Sequence, residues 1–315
     1  MLLLVALTLC GCSSSKYALP YTADSKISSF RIVESEGSTE RVSSFASKLC
    51  VADSDVSNSE VSLTTEYVGA GLFDISSGNV ICSQNIHEHF NPASLTKIMT
   101  AIVALKNGSM DMVLTASSNV DDLESGAQAI GLESGDTMTL AQALNILLIY
   151  SANDVAILIA EGIGGSVDNF VNMMNEEAIN IGATNSHFVN PHGLTAEDHY
   201  TTPYDLYLMM NTAMQYDMFN EIIHTTEYST EYHDASGNSK AVSLKSTNLY
   251  LTGDKSVPSG VTIVGGKTGT TNAAGHCLIL LSRDTKSNPF ISVILKADNR
   301  DDLYSNMTSL LSQIN

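Results

Sequence analysis

Residues 91–106 read Asn-Pro-Ala-Ser-Leu-Thr-Lys-Ile-Met-Thr-Ala-Ile-Val-Ala-Leu-Lys, a small-residue turn running into a helical apolar period. Pro92 suits a first helical turn, where a missing N–H costs nothing. Ile98, Ala101, Ile102 and Leu105 fall on one face, which predicts a largely buried helix. Ser94 and Lys97 stand three apart at its N-terminal end, so their side chains share a face. A hydroxyl beside an amine at the positive end of a helix dipole can become a nucleophile, provided the amine is neutral. Bringing a lysine from about 10.4 to about 7 costs roughly 4–5 kcal/mol, which burial and a second cation would have to supply. The S-x-x-K spacing carries little weight alone, since Ser13 and Lys16 repeat it.

At 315 residues the chain can hold one large domain or two ordinary ones, with ample apolar content for a core. Fifteen Lys and Arg against 34 Asp and Glu give a net charge of −19, which argues against binding nucleic acid or an anionic membrane through a basic patch. The five cysteines (Cys10, Cys12, Cys50, Cys82, Cys277) form no C-x-x-C pair and have no histidine at metal spacing, so neither a metal site nor a disulfide framework is expected. Cys82 and Cys277 lie in strand-like runs and read as small buried hydrophobes.

Outward from the central helix, the chain is expected to divide into three parts. Residues 1–12 form an apolar, lipoprotein-type export signal. Leu9-Cys10-Gly11-Cys12 resembles the bacterial lipobox, in which the last cysteine, here Cys12, is lipidated; a signal cleaved without lipid is the alternative. Residues 13–62, rich in Ser, Asp and Glu, are expected to be a flexible tether, with a short helix over 39–50. Residues 63–315 form the globular domain. Tyr67–Ile75 and Asn79–Ser83 read as a hairpin, and Asp121, Asp122 and Glu124 as a solvated loop. Thr139 and Ser166 cap helices, and Pro203 opens another. Tyr150-Ser151-Ala152-Asn153-Asp154 interrupts two apolar helices, where buried polar groups are costly unless hydrogen-bonded or used. Residues 226–246 suggest a second hairpin, and Asn190–Leu194 a turn. Val261–Val264 runs as a strand into Gly265-Gly266-Lys267-Thr268-Gly269-Thr270-Thr271, where glycine lets another backbone approach. Two more strands and a closing helix (residues 300–314) complete an α+β pattern: an antiparallel sheet flanked by helices, with an all-helical insert.

Three elements thus stand in order: Ser94-x-x-Lys97, Ser151-x-Asn153 and Lys267-Thr268-Gly269. Their order and settings resemble the serine penicillin-recognising enzymes, whose set is S-x-x-K, S-D-N and K-T-G. The flanking Pro92-Ala93-Ser94-Leu95-Thr96-Lys97, His192-Gly193-Leu194 and Lys267-Thr268-Gly269-Thr270-Thr271-Asn272 narrow this to the D-alanyl-D-alanine carboxypeptidases of the low-molecular-mass penicillin-binding proteins. Ala152 departs from the Gly or Asp common in relatives. The second all-β domain and amphipathic C-terminal helix of many members are not expected in this chain.

The resemblance implies a DD-peptidase/β-lactamase-like fold and a serine carboxypeptidase that removes the terminal D-alanine from peptidoglycan stem peptides. Ser94 would attack, Lys97 would take its proton, and Ser151 with Asn153 would relay a proton to the leaving amine. Lys267, Thr268 and Thr270, on a strand opened by Gly269, would bind the terminal carboxylate. The backbone N–H groups of Ser94 and Thr270 would form the oxyanion hole. His192 reads as a turn residue of the site wall, and no metal or organic cofactor is implied. β-Lactams would be covalent inhibitors, and the enzyme would work outside the cytoplasmic membrane, held by its lipid. The alternatives are an endopeptidase on D-alanyl cross-links, a β-lactamase (Glu197 being the only acid in the region where such an enzyme needs one) and a non-catalytic wall-binding lipoprotein.

Overall fold

Asp74 starts the fold's first reversal: its carboxylate accepts the backbone N–H groups of Ser76 and Ser77, and Gly78 turns the chain at φ +70°. The result is the expected hairpin, β1 (Gly69–Asp74) with β2 (Asn79–Gln84). This computed structural model describes residues 49–314. The expected signal, Cys12, residues 13–48 of the tether and most of the 39–50 helix lie outside the described residues.

After β2 a one-turn 3₁₀ segment, Ala93–Leu95, leads into α1 (Thr96–Asn107). Then follow β3 (Val113–Thr115), a 3₁₀ turn Ser118–Asp121, β4 (Thr137–Thr139), α2 (Leu140–Asn145), a π-type turn Ile146–Tyr150, α3 (Asn153–Gly164) and α4 (Val167–Asn180). α5 (Pro203–Ala213), α6 (Asp217–His224), β5 (Glu227–His233), β6 (Ser239–Lys245) and the short α7 (Leu249–Thr252) precede β7 (Thr262–Thr271), β8 (Gly275–Arg283), β9 (Pro289–Ala297) and α8 (Arg300–Leu311).

The main sheet is antiparallel, in the order β2-β1-β9-β8-β7. Both faces are covered, which is why β8 and β9 read as nearly unbroken apolar runs. Alternate residues take opposite sides: Leu278 and Leu280 meet Leu303, Met307 and Leu311 of α8. Ile279 and Leu281 meet the helical layer that includes Ile98 and Ile102 of α1. The α+β class holds. Its insert is more than helical, since β3-β4-β5-β6 forms a second, four-stranded sheet. β3 and β4 have three residues each, too few to show a two-residue period.

The tether boundary moves. Residues 49–62 pack along the domain instead of standing off it. Cys50 is fully buried, donating its N–H to the Tyr207 hydroxyl and accepting from that of Tyr204. Val56 exchanges hydrogen bonds with Ser83 at the exposed edge of β2, and Asp55 accepts the N–H groups of Asn85 and Ile86. Here a polar segment covers a sheet edge through its backbone and short side chains, a pairing that leaves no hydrophobic period in the sequence.

Candidate active site

Ser94 lies in the 3₁₀ turn ahead of α1, half-buried, while Lys97 one turn later is completely buried. Lys97 Nζ is 3.0 Å from Ser94 Oγ, 2.7 Å from Asn153 Oδ1 and 2.7 Å from the His192 carbonyl. Burial, then the charge of Lys267, holds Lys97 well below the ordinary lysine range, against an opposing pull from Asp154. A neutral amine has two N–H bonds and one lone pair. The two carbonyl oxygens accept only, so they take both N–H bonds and leave the lone pair facing the Ser94 hydroxyl. That is the arrangement a general base requires.

The second serine is placed by an irregular helix join. α2 carries a full capping box between Thr139 and Gln142 and widens into the Ile146–Tyr150 π turn. Ser151 then adopts φ +73°, and α3 starts at Asn153. The join brings Ser151 Oγ to 2.9 Å from Lys267 Nζ, across 116 residues of chain. Lys267 is 1% exposed, has Thr268 O as its other partner at 2.9 Å, and is lowered by burial to about 7. Asp154, buried to 1%, accepts N–H groups from Ile130, Gly131 and Leu132 and the first-turn N–H of Val155. With Asn153 N donating to Gln128 O at 2.7 Å, this pins the loop that faces β7.

The Asn190–Leu194 turn is held at three points, two on α1 and one on the 3₁₀ segment before it. Thr100 donates to Pro191 O, Lys97 to His192 O, and Gly193 (φ +90°) lies on the Ala93 carbonyl. A Cβ on Gly193 would sit 1.8 Å from Ala93 O, so glycine is required both by conformation and by contact. His192 therefore supports the wall through its backbone. Its ring accepts Leu194 N–H, and burial with nearby Lys97 pushes it down to about 3, so it stays neutral.

A cleft of about 630 Å³ collects these parts. Ser94, Ser151 and Asn153 form one wall, and the β7 residues Thr268, Gly269 and Thr270 the other. Gly269 lets the strand close on the helix: a Cβ there would lie 2.9 Å from Ser94 N. All eight residues predicted for catalysis and substrate binding thus meet in or beside one cleft; Cys12 lies outside the described residues. Thr268 shares a hydrogen bond with Thr247, Thr270 Oγ1 is 3.2 Å from His276 Nδ1, and Arg300 also lines the cleft. His276 is lowered by burial and by Arg300. Glu124 lines the cleft opposite, so the expected solvated loop borders the site. Glu197 is exposed and not part of the lining. Among the described residues no group of three metal-ligating side chains occurs.

Sequence reasoning missed Asp154, Thr247, His199 and the contact role of Gly193. Asp154 had a signal, a carboxylate at a helix N-terminus between apolar residues. The others depend on contacts between distant segments and had none.

The sequence profile of a family described as D-alanyl-D-alanine carboxypeptidase matches residues 58–299. D-alanyl-D-alanine carboxypeptidase DacF of Bacillus subtilis is 32% identical over 253 residues, 79% of this chain and 62% of the relative. DacC of Escherichia coli is 31% identical over 235 residues, 72% of this chain and 55% of the relative. The chain therefore spans about three fifths of the length of these curated relatives. The crystal structure of the Streptomyces K15 DD-transpeptidase superposes with a TM-score of 0.70 at 27% identity, covering 79% of this chain and 97% of that one.

Proposed function

This chain belongs to the D-alanyl-D-alanine carboxypeptidase family, and we propose that it is a serine-type carboxypeptidase removing the terminal D-alanine from peptidoglycan stem peptides. One observation carries the reading: two buried lysines, each against a serine hydroxyl, stand beside one cleft to which β7 adds threonine hydroxyls and the start of α8 an arginine.

In the proposed cycle the Lys97 lone pair takes the Ser94 proton as Oγ attacks the carbonyl between the two D-alanines. The N–H groups of Ser94 and Thr270 hold the developing oxyanion, each worth about 3–4 kcal/mol. Ser151, hydrogen-bonded to Lys267, relays the proton that Lys97 took from Ser94 to the leaving amine, so that Lys97 returns to its neutral form and Ser151 keeps its hydroxyl. Asn153 keeps Lys97 aimed and positions the peptide. Lys267 with Thr268 and Thr270 receives the terminal carboxylate, and Arg300 adds positive charge on that side. Water then releases the acyl group from Ser94. A β-lactam would enter the same path and remain on Ser94 as a covalent inhibitor.

For location, Leu9-Cys10-Gly11-Cys12 supports export and a lipid on Cys12, which would hold the domain outside the cytoplasmic membrane. Stable attachment needs more than one acyl chain. A Cys12→Ser variant expressed with its native signal should leave the membrane fraction; equal partitioning of the two forms would overturn the anchor.

The deciding experiment offers the protein defined muropeptides and reads products by mass spectrometry. Free stems should lose one D-alanine. Amidating the terminal carboxylate should cost roughly tenfold or more in kcat/KM, as expected for a lost charged hydrogen bond. Cleavage of cross-linked dimers alone would replace the carboxypeptidase by an endopeptidase.

A further inference from the structure

Ala93, the residue before the proposed nucleophile, sits at φ +48°. A residue with a Cβ is strained there, so the surroundings must hold it. Its carbonyl is held at three points, the first being the backbone N–H of Thr96, which donates to it. Gly193 lies flat against it, and Thr96 Oγ1 donates to it at 2.8 Å.

Thr96 is in turn committed by a histidine 103 residues away. His199 is 3% exposed. Its Nδ1 is 3.1 Å from the Val189 nitrogen, whose N–H can only donate, so Nδ1 carries no proton. Its Nε2 therefore holds the ring proton and donates to Thr96 Oγ1 at 2.9 Å. Burial, with His187 nearby, pushes His199 down to about 4, in keeping with a neutral ring. Because Thr96 accepts from His199, its own single proton is left for Ala93 O.

The Ala93 carbonyl and the Ser94 N–H are opposite ends of one planar amide. Fixing the oxygen aims the N–H the other way, toward the β7 wall, where Ser94 N lies 2.9 Å from the Cβ position of Gly269. Among the described residues nothing accepts this N–H. A hydrogen bond accepted at the oxygen of an amide also strengthens donation from its nitrogen.

We propose that His199 and Thr96 are positioning residues for the oxyanion hole, a relay running from His199 Nε2–H through the Thr96 hydroxyl to the Ala93–Ser94 peptide, whose N–H it aims and polarises. The inference rests on the reading of Ser94 as an acyl-transfer nucleophile. Nothing in the relay touches substrate, so it should act on the chemical step and not on binding.

The test follows acylation of the full chain by a fluorescent penicillin, separating the pre-covalent dissociation constant from the first-order acylation constant. Unfolding midpoints are measured alongside. Thr96→Val keeps shape and loses the hydroxyl; His199→Asn keeps an acceptor near Val189, but its shorter side chain has no donor at the Nε2 position that reaches Thr96. Both should slow acylation by about tenfold or more, a fraction of what losing a whole oxyanion donor costs, with pre-covalent binding within about threefold. Thr96→Ser and His199→Gln, which can remake the donor chain, should recover most of the rate. If Thr96→Val fails to fold, Thr96→Cys, a weaker donor, should fall clearly below Thr96→Ser. Wild-type acylation constants in Thr96→Val and His199→Asn, losses confined to pre-covalent binding, or a Thr96→Ser no faster than Thr96→Cys would each overturn the relay. Peptide mapping of the wild-type adduct keeps the two failures apart. An adduct away from Ser94 removes the acyl-transfer reading itself, whereas a Ser94 adduct formed at full rate by the relay variants removes only the relay.

Discussion

Ser94–Lys97, within the helical wall, and Ser151–Lys267, which joins that wall to β7, are both hydroxyl–amine pairs, at 3.0 and 2.9 Å, with both amines buried. They are not equivalent. Burial alone takes Lys267 to about 7, whereas Lys97 is buried and also repelled by Lys267. Two like charges in one cleft disfavour each other, and that repulsion adds to burial in lowering Lys97. The serines differ as well: Ser94 is half-buried at the cleft floor, and Ser151 is only 6% exposed. Burial lowers both lysines, and the neighbouring cation adds to the lowering at Lys97, which is why the proposed cycle takes it as the base.

The sharpest way to break this comparison is to remove each hydroxyl. Ser94→Ala should abolish covalent labelling by a β-lactam, while Ser151→Ala should still form an adduct at Ser94, more slowly. An adduct on Ser151 would reverse the two pairs.

Next comes the cation. Lys267→Met should lower kcat/KM by about a hundredfold or more, since it removes carboxylate binding and the repulsion that keeps Lys97 neutral. The ascending limb of the pH–rate profile, set by deprotonation of Lys97, should move to higher pH. A limb that stays in place would show that burial alone sets the Lys97 pKa.

Asp154→Asn probes how far the helical wall depends on its pinned loop. The carboxylate meets four backbone N–H groups, and an amide accepts at one oxygen only. Stability should drop by about 1–3 kcal/mol in a denaturant titration, with faster hydrogen exchange at Ile130–Leu132. Unchanged exchange there would separate the loop from Asp154.

The last test reads stability against pH. A lysine held at about 7 when folded and 10.5 when unfolded binds fewer protons in the native state. Its cost is fully present below about 7 and is relieved as pH rises toward 10.5, by up to about 1.4 kcal/mol per pH unit. Between pH 7 and 10 the wild-type protein should therefore gain stability faster than Lys267→Met. Parallel curves would mean that Lys267 is charged throughout that range.

Much of this was legible in the chain. The caps at Thr139, Ser166 and Pro203, the hairpins and the three motifs stand where periodicity placed them. The failures share a cause. Residues 49–62 carry no period because they pack by polar side chains and backbone. β3 and β4 are too short to alternate visibly. Glu124 looks like any solvated acid until the cleft forms around it.

The order of residues by itself determined which helices and strands form, which faces they bury, and which serines, lysines and threonines are candidates for chemistry. Those properties depend on neighbours within a few positions, so the pattern records them. Only the tertiary structure decided that Lys97 is held well below the ordinary lysine range, that Ser94 is more exposed than Ser151, and that Thr96 and His199 are joined to the peptide before Ser94. Each of these depends on groups far away in the chain, Lys267 for Lys97 and for Ser151, and His199 for Thr96. Desolvation and charge repulsion act through space, over a few ångströms, and spacing along the chain carries no record of them.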